Sequence, residues 1–181
     1  MEIPAAPVGQ RHHRLWSQVN CQPINSLGTV ILHNLKKLFM PNKLTATSEI
    51  SINASAGKVW QAFVDPEMIK QYLFGTDVHT DWKVGSPITY TGEWQGKSYT
   101  DKGKIIDIQP GKLLHTTYWS GNSGKPDVPE NYANVVYEIH PDGDSTKVTI
   151  TQDNIENEEG VKHMKENWGK VLDGMKKAVE K

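Results

Sequence analysis

The longest run of helical periodicity in the chain lies at its C-terminal end, over residues 158–181. Apolar residues recur there at spacings of three and four, which places them on one face of an α-helix. That face carries Met164, Trp168, Val171, Leu172, Met175 and Val179. Lysine and glutamate crowd the opposite face. Such a helix must bury its apolar face against a partner, and we expect that partner to be a sheet, because the preceding hundred residues are dominated by strand patterns.

Upstream of this helix, the sequence predicts one strand, two short helices and then six consecutive strands. Residues 45–53 alternate apolar and polar side chains, as a half-buried strand does. Ser55 and Asp65 are suited to cap the two short helices, and Pro66 suits a first helical turn. From residue 77 to residue 152, two-residue alternation is interrupted only by short turn sequences, which favours an antiparallel meander. The predicted class is therefore α+β, with a curved seven-stranded antiparallel sheet wrapped around the long C-terminal helix. We expect a cavity between that sheet and the helix.

Composition excludes several classes of protein. The formal net charge of -1 on 181 residues gives no general attraction to nucleic acid, and the longest apolar run is too short to span a membrane. A single cysteine excludes an intramolecular disulfide and a cysteine-based metal site. It also fits a reducing compartment, and we expect a cytoplasmic protein. We predict no cofactor.

The first 43 residues differ from the rest of the chain. They hold five basic residues against Glu2 alone, together with three histidines and four prolines, and they show no strand alternation. We predict an N-terminal extension over residues 1–43, poorly ordered or weakly docked, followed by one domain over residues 44–181. Two alternatives stay open. The extension is basic and poor in acids, as organellar targeting segments are. Alternatively, the native start is Met40, where the composition changes abruptly.

The order of elements and several local phrases resemble the START-like, or SRPBCC, superfamily with its helix-grip fold. Within it, the chain is most similar to the branch related to the C-terminal domain of the activator of heat-shock-protein-90 ATPase. The resemblance covers residues 44–181. The residues on which it rests are Ile52-Asn53-Ala54-Ser55-Ala56, Val59-Trp60, Asp65-Pro66-Glu67 with Tyr72, Trp82-Lys83-Val84-Gly85, Gly103 with Ile105 to Ile108 and Pro110, Asn167-Trp168 and Leu172.

This resemblance implies a helix-grip fold and three competing functions. The first is uptake of a small hydrophobic or aromatic molecule without catalysis, which we favour. The second is an enzyme of the polyketide cyclase or aromatase type. The third is interaction with a chaperone. It ranks last because residues 1–43 contain no counterpart of the co-chaperone's own N-terminal domain.

Candidate catalytic and metal-binding residues are few. Asp77, His79 and Asp81 alternate and would share one face of a strand, yet no fourth ligand is spaced to complete a metal site. We therefore interpret them as the solvent face of a short strand and predict no metal. His115 is a possible polar group in the cavity, and the enzymatic alternative would need His115, Asp101 or Asp107 to reach it. We assign no catalytic residue.

Aromatic residues are more informative, because they are dense for one meander and one helix. Strand parity and helix facing predict an inward set that lines the ligand cavity: Tyr90, Trp94, Tyr118, Tyr137, Met164 and Trp168. Tyrosine hydroxyls would orient a bound molecule. The polar, glycine-containing loop over residues 120–131 is expected to form the entrance or lid.

Overall fold

The computed structural model describes residues 43–181, so the predicted extension lies outside them except for Lys43. The elements in chain order are β1 (Leu44–Ile52), α1 (Ala56–Val64), α2 (Pro66–Tyr72), β2 (Asp77–His79), β3 (Pro87–Trp94), β4 (Lys97–Gln109), β5 (Leu113–Ser120), β6 (Ala133–Asp142), β7 (Ser145–Ile155) and α3 (Glu158–Val179). Two short 3-10 turns, Gly121–Ser123 and Pro129–Asn131, lie between β5 and β6. This order confirms the predicted α+β helix-grip fold.

All seven strands belong to one antiparallel sheet, in the order β1-β7-β6-β5-β4-β3-β2. The six later strands follow one another as a meander, as predicted. The first strand pairs with the last, so that Ile52 faces Thr146 across the β1–β7 ladder. This pairing brings the two ends of the domain together and puts β1 beside the C-terminal helix.

The C-terminal helix α3 has signals at both ends that fix its limits. The Asn157 side chain accepts a hydrogen bond from the Gly160 backbone N–H at 2.8 Å, which caps the first turn. Acidic residues occupy the first turn and basic residues the last, as the helix dipole favours. Its buried side chains are Val161, Val171, Leu172, Met175 and Val179.

The two short helices pack against each other and against α3. Ser55 caps α1 and Asp65 caps α2, and Pro66 occupies the first turn of α2, as predicted. Helix α2 packs on α3 through a close approach at Gly174, where an added Cβ would lie 3.2 Å from the Tyr72 Cβ. Tyr72 is buried and donates its hydroxyl hydrogen to the Ala62 carbonyl at 2.8 Å, which ties α2 to α1.

Strand β2 is shorter than the sequence indicated. It ends at His79, although the alternation of Asp77, His79 and Asp81 predicted one strand for all three, and the next residue, Trp82, has a backbone φ of +57°. A bulky residue in the left-handed region cannot continue a strand. Asp81 therefore lies outside the strand that holds Asp77 and His79. Within residues 43–181 there is no group of three acidic, histidine or cysteine side chains placed to hold a metal ion.

No helix in the described part of the chain has both the length and the apolar character needed to cross a membrane.

Candidate functional site

A cavity of about 680 Å³ lies between the sheet and α3. Its volume falls within the range usual for sites that bind small molecules, about 300 to 1,000 Å³. Strands β3 to β7 form one wall and the first half of α3 forms the other. A separate void of about 30 Å³ lies beside it, against Phe63 and Ile69, and has room for about one water molecule.

All six side chains of the predicted inward set line this one cavity: Tyr90, Trp94, Tyr118, Tyr137, Met164 and Trp168. Most of them are partly or largely buried. Trp94 differs, because 60% of its surface is exposed at the open end of the cavity. These side chains thus form part of the cavity wall, and the claim that they bind a ligand stays a prediction.

His115 does not line the cavity, so its interpretation as a polar cavity group is not supported. Side chains of β5 alternate between the two faces of the sheet, and Leu114, Thr116 and Tyr118 take the inner face. His115 therefore points to the outer face. Its ring nitrogen Nε2 lies 3.0 Å from the side-chain oxygen of Asn134, an exposed residue of β6.

The rings of the aromatic wall pack edge to face. Tyr137 contacts Trp168 on one side and Phe63 on the other, with ring centroids 5.8 Å and 5.5 Å apart. Tyr90 and Tyr118 form a second such pair at 5.9 Å. Pairs of this geometry contribute about 0.5 to 1.5 kcal/mol beyond the area they bury. These contacts join the side chains of the wall to one another.

A buried carboxylate, Asp101 of β4, supports the wall at the β5 edge of the cavity. One of its oxygens accepts a 2.5 Å hydrogen bond from the Tyr118 hydroxyl. The other accepts bonds from the Ser120 hydroxyl at 2.7 Å and from the Gly121 backbone N–H at 3.0 Å. Both oxygens are therefore engaged, and Asp101 fixes Tyr118 and the start of the following loop.

Neutral hydrogen-bonding groups dominate the interior. Burial raises the pKa of Tyr90, Tyr118 and Tyr137 well above the usual value for a phenol. The hydrogen bond to Asp101 raises the Tyr118 pKa further, and the neighbouring phenols do the same for Tyr137. These hydroxyls are thus protonated throughout the physiological range, and the interior presents uncharged donors and acceptors to a ligand.

Gln152 of β7 adds an amide to the cavity wall. Its side-chain oxygen accepts a 3.0 Å hydrogen bond from the indole N–H of Trp168, which fixes that ring across the gap between sheet and helix. Gln152 is buried and lines the cavity. Sequence reasoning missed it, although it continues the inward parity of Val148 and Ile150 along the same strand.

Thr116 of β5 also lines the cavity and was missed. Its hydroxyl is buried and has no hydrogen-bond partner of good geometry within residues 43–181. The Tyr90 phenol is close enough to this hydroxyl to offset slightly the rise in the Tyr90 pKa that burial causes. A buried hydroxyl without a well-formed partner is rare and destabilising.

We expect Thr116→Val to stabilise the ligand-free protein by about 1 kcal/mol, because it removes an unsatisfied buried hydroxyl while nearly conserving the shape of the side chain. Urea unfolding followed by circular dichroism measures the change. Loss of stability by a similar amount would instead mean that the hydroxyl is hydrogen-bonded in solution, to Tyr90 or to a water molecule.

The loop of residues 120–131 contributes less to the entrance than the sequence indicated. None of its residues lines the cavity itself in the described structure, and only Asn122 lines the adjoining recess. Beyond Ser120 and Gly121, which Asp101 holds, the loop is fixed to the outer face. The Trp119 indole N–H and the Asn131 amide both donate to the Pro126 carbonyl, and Lys102 forms an ion pair with Asp127.

The outer-face contacts of this loop extend to Tyr132. Its hydroxyl donates a 2.7 Å hydrogen bond to Asp127, which raises the pKa of Tyr132 to about 12. Its ring stacks on Trp119, and the Lys102 ammonium lies 5.2 Å from the centre of the Trp119 ring. The contacts of Trp119 and Tyr132 thus hold the loop of residues 120–131 in place.

The open end of the cavity lies at Phe74 and Trp94. Both side chains are 60% exposed, and both also line a recess of about 200 Å³ adjoining the cavity. Phe74 follows α2 directly, and Trp94 ends β3. The α2–β2 connection and the β3–β4 hairpin therefore frame the mouth.

Comparison with known protein families adds to this geometry. Residues 53–180 match the family model described as activator of Hsp90 ATPase homolog 1-like protein. The chain belongs to this family. The match begins at the end of β1 and ends just beyond α3, so it includes nearly every element that forms the cavity wall.

Solved structures extend the comparison. The solution structure of ChR145 from Cytophaga hutchinsonii is 45% identical in sequence, with a TM-score of 0.69 over 78% of this chain and 97% of the other. The Aha1 dimer from Colwellia psychrerythraea is 21% identical, with a TM-score of 0.61 over 76% of this chain and 96% of that one. CalU16 from Micromonospora echinospora is 17% identical, with a TM-score of 0.57 over 76% and 85%. The last two likenesses show the fold alone.

The search of the curated proteins finds no match.

Proposed function

We propose that the chain binds a small hydrophobic or aromatic molecule in the cavity between the sheet and α3. The observation that carries the proposal is the cavity itself, about 680 Å³ in volume and walled by aromatic side chains. Because the cavity is open at one end, water fills it in the ligand-free protein. An apolar molecule that displaced this water would bury apolar surface and gain dispersion contacts with the aromatic wall.

The chemistry of the buried wall favours an uncharged ring system with one or two oxygen or nitrogen atoms for the part of the ligand that lies inside the cavity. Burying a charge is costly unless it is paired, and the buried carboxylate at the wall, Asp101, already has both oxygens engaged. The phenols of Tyr90 and Tyr137 and the amide of Gln152 offer neutral hydrogen bonds. The edge-to-face aromatic pairs offer flat apolar surface to a planar ring.

Of the three candidate acid–base residues that the enzymatic alternative needs in the cavity, only one lines it. Asp101 lines the cavity, whereas the Asp107 side chain accepts a hydrogen bond from Gln109 at an exposed site and His115 faces outward. A general base needs a lone pair free to take a proton from the substrate. Asp101 uses its oxygens to accept three hydrogen bonds, so we favour binding without catalysis.

Interaction with a chaperone is a second candidate, and the family match is the observation that favours it. The test is retention of the full chain on an immobilised heat-shock-protein-90 homologue from the natural source. Retention that survives Val135→Trp, a substitution inside the cavity, would place the contact on the outer surface. Absence of retention disposes of this candidate.

A pair of neighbouring substitutions on β6 tests cavity binding. Val135 lines the cavity, whereas the next residue, Val136, is paired with outward-facing His115. We expect Val135→Trp to weaken binding of the neutral fluorophore N-phenyl-1-naphthylamine by about tenfold or more, which corresponds to about 1.4 kcal/mol. The bulk of the new indole would occupy part of the site. Titration followed by fluorescence enhancement measures it.

Val136→Trp is the matched control and should leave the affinity for the fluorophore within about twofold, since it adds the same bulk to the opposite face. Circular dichroism checks that both variants fold. Equal loss of affinity in the two variants, or none in either, would contradict binding in the cavity.

A further inference from the structure

The recess at the cavity mouth has a composition unlike that of the interior. It has a volume of about 200 Å³, is largely open to solvent, and is lined by Phe74, Glu93, Trp94, Tyr99, Asp101 and Asn122. We call it the mouth recess. It shares Phe74, Trp94 and Tyr99 with the cavity, so a molecule in the cavity can extend into it. A binding role for the mouth recess rests on the proposed function, because the recess is the outer part of the same site.

Three aromatic rings from three different parts of the chain line the mouth recess. Phe74 comes from the turn between α2 and β2, Trp94 from β3 and Tyr99 from β4. Two of them are not buried in the core, since Phe74 and Trp94 each keep 60% of their surface exposed. Large aromatic residues that stay exposed beside an apolar cavity are typical of recognition sites.

Backbone geometry and a hydrogen bond position two of these rings, Phe74 and Tyr99. Phe74 has φ of +53°, which is unfavourable for a bulky side chain. The turn that imposes it is closed by a 3.0 Å bond from the Gly75 N–H to the Lys70 carbonyl. The Tyr99 hydroxyl is 2.6 Å from that of Thr76. Across the ladder, an added Cβ on Gly92 would lie 2.6 Å from the Tyr99 oxygen, so the glycine leaves room for the ring.

The charges around the mouth recess are acidic. Glu93 and Asp101 line it, and no lysine, arginine or histidine does so in the described part of the chain. Lys97 is the ladder partner of Trp94 but stays outside the recess, and Lys170 lines only the larger cavity. Glu93 is exposed and forms no ion pair among the described residues, so its charge is available.

We propose that the mouth recess binds the cationic end of an amphiphilic ligand, an alkylated or aryl-substituted ammonium group, while the apolar remainder occupies the cavity. Aromatic faces attract a cation through their quadrupole, most strongly where water is partly excluded. Glu93 supplies a neighbouring negative charge. A quaternary ammonium group needs no hydrogen-bond acceptor, which suits a recess whose buried carboxylate already accepts three hydrogen bonds.

The test compares three probes with the same ten-carbon tail and different ends: decyltrimethylammonium, decanol and decanoate. Each competes against N-phenyl-1-naphthylamine bound to the full chain, at concentrations below micelle formation. We expect decyltrimethylammonium to bind about fivefold to tenfold more tightly than decanol, the range that a partly desolvated cation–π contact supports, and decanoate to bind most weakly.

Three variants locate the preference. Trp94→Ala and Glu93→Gln should each reduce the cation-to-alcohol affinity ratio by about threefold or more, because each removes one source of attraction for the cation. Glu130→Gln is the matched control, since it removes an exposed carboxylate that does not line the mouth recess. It should leave that ratio unchanged.

The possible outcomes distinguish the cation site from the cavity binding on which it rests. If the fluorophore binds and the three probes compete equally, or decanoate competes best, the cation site is overturned while cavity binding stands. The cation site is also overturned if Glu130→Gln lowers the ratio as much as Glu93→Gln does, because the attraction then comes from the overall charge of the domain. If the fluorophore does not bind at all, cavity binding fails and the cation site fails with it.

Discussion

Gly103→Ala is expected to destabilise the domain by about 3 kcal/mol or more, at or beyond the upper end of the usual cost of overpacking. Gly103 lies in β4 where the chain passes close to β5, and an added Cβ would be 1.8 Å from the Thr117 carbonyl oxygen. A backbone atom inside a sheet cannot rotate away as a flexible side chain can. The β4–β5 ladder would have to open beside Asp101 and Tyr118, and the cavity wall with it.

Gly169→Ala is the matched control. Gly169 lies within α3, and an added Cβ there would have no atom within 4 Å. Alanine favours a helix over glycine by about 0.5 to 1 kcal/mol, so this variant should be slightly more stable than the parent protein. Thermal and urea unfolding of both variants measure the contrast. A Gly103→Ala protein as stable as the parent would show that β4 and β5 are not in the described register.

Asp101→Ala is also expected to lower the free energy of unfolding by about 3 kcal/mol, because three hydrogen-bond donors lose the buried carboxylate that accepts from all of them. The Tyr118 hydroxyl, the Ser120 hydroxyl and the Gly121 N–H all depend on it. Besides stability, we expect faster hydrogen exchange at the Gly121 amide, since its acceptor is gone. Urea unfolding and amide exchange followed by NMR measure the two effects.

Asp107→Ala is the control for that experiment. Asp107 belongs to the same strand, but its side chain accepts its hydrogen bond from Gln109 near the surface. Its removal should change stability by no more than about 0.5 kcal/mol. Equal effects of the two substitutions would contradict the role given to Asp101 in holding the wall and the loop.

The sequence predicted the fold because periodicity and turn signals are local. Strand alternation through Ile88, Tyr90 and Trp94 set the inward parity of β3, and helical spacing put Met164 and Trp168 on the apolar face of α3. Where elements are this regular, the facing of each side chain follows from its position in the repeat. The sequence therefore predicted which side chains face inward, but it did not predict the shape of the cavity.

The error at His115 was avoidable by the same rule. Tyr118 was placed inward on β5, and residues an odd number of positions apart on a strand face opposite sides, so His115 had to point outward. Asp101 was different. Its role depends on Tyr118 and Gly121, some twenty residues away, and their meeting is set by the register of β4 and β5. No local pattern encodes a register interrupted by a bulge.

The position of the cavity mouth also could not be predicted from the sequence. The loop of residues 120–131 had the length and polarity of a lid, but it is tied to the outer face through long-range contacts such as the Lys102–Asp127 ion pair. The mouth depends instead on the positive φ of Phe74, which a non-glycine residue seldom adopts and which sequence reasoning does not anticipate.

The most direct test of cavity binding follows the indole N–H signals of the six tryptophans by NMR during titration with N-phenyl-1-naphthylamine. Trp168 lines the cavity and donates its N–H to Gln152, whereas Trp119 donates to Pro126 on the outer face. We predict a saturable shift of the Trp168 signal with the Trp119 signal unmoved. A Trp168 signal that stays fixed while Trp119 moves would contradict a ligand site between sheet and helix.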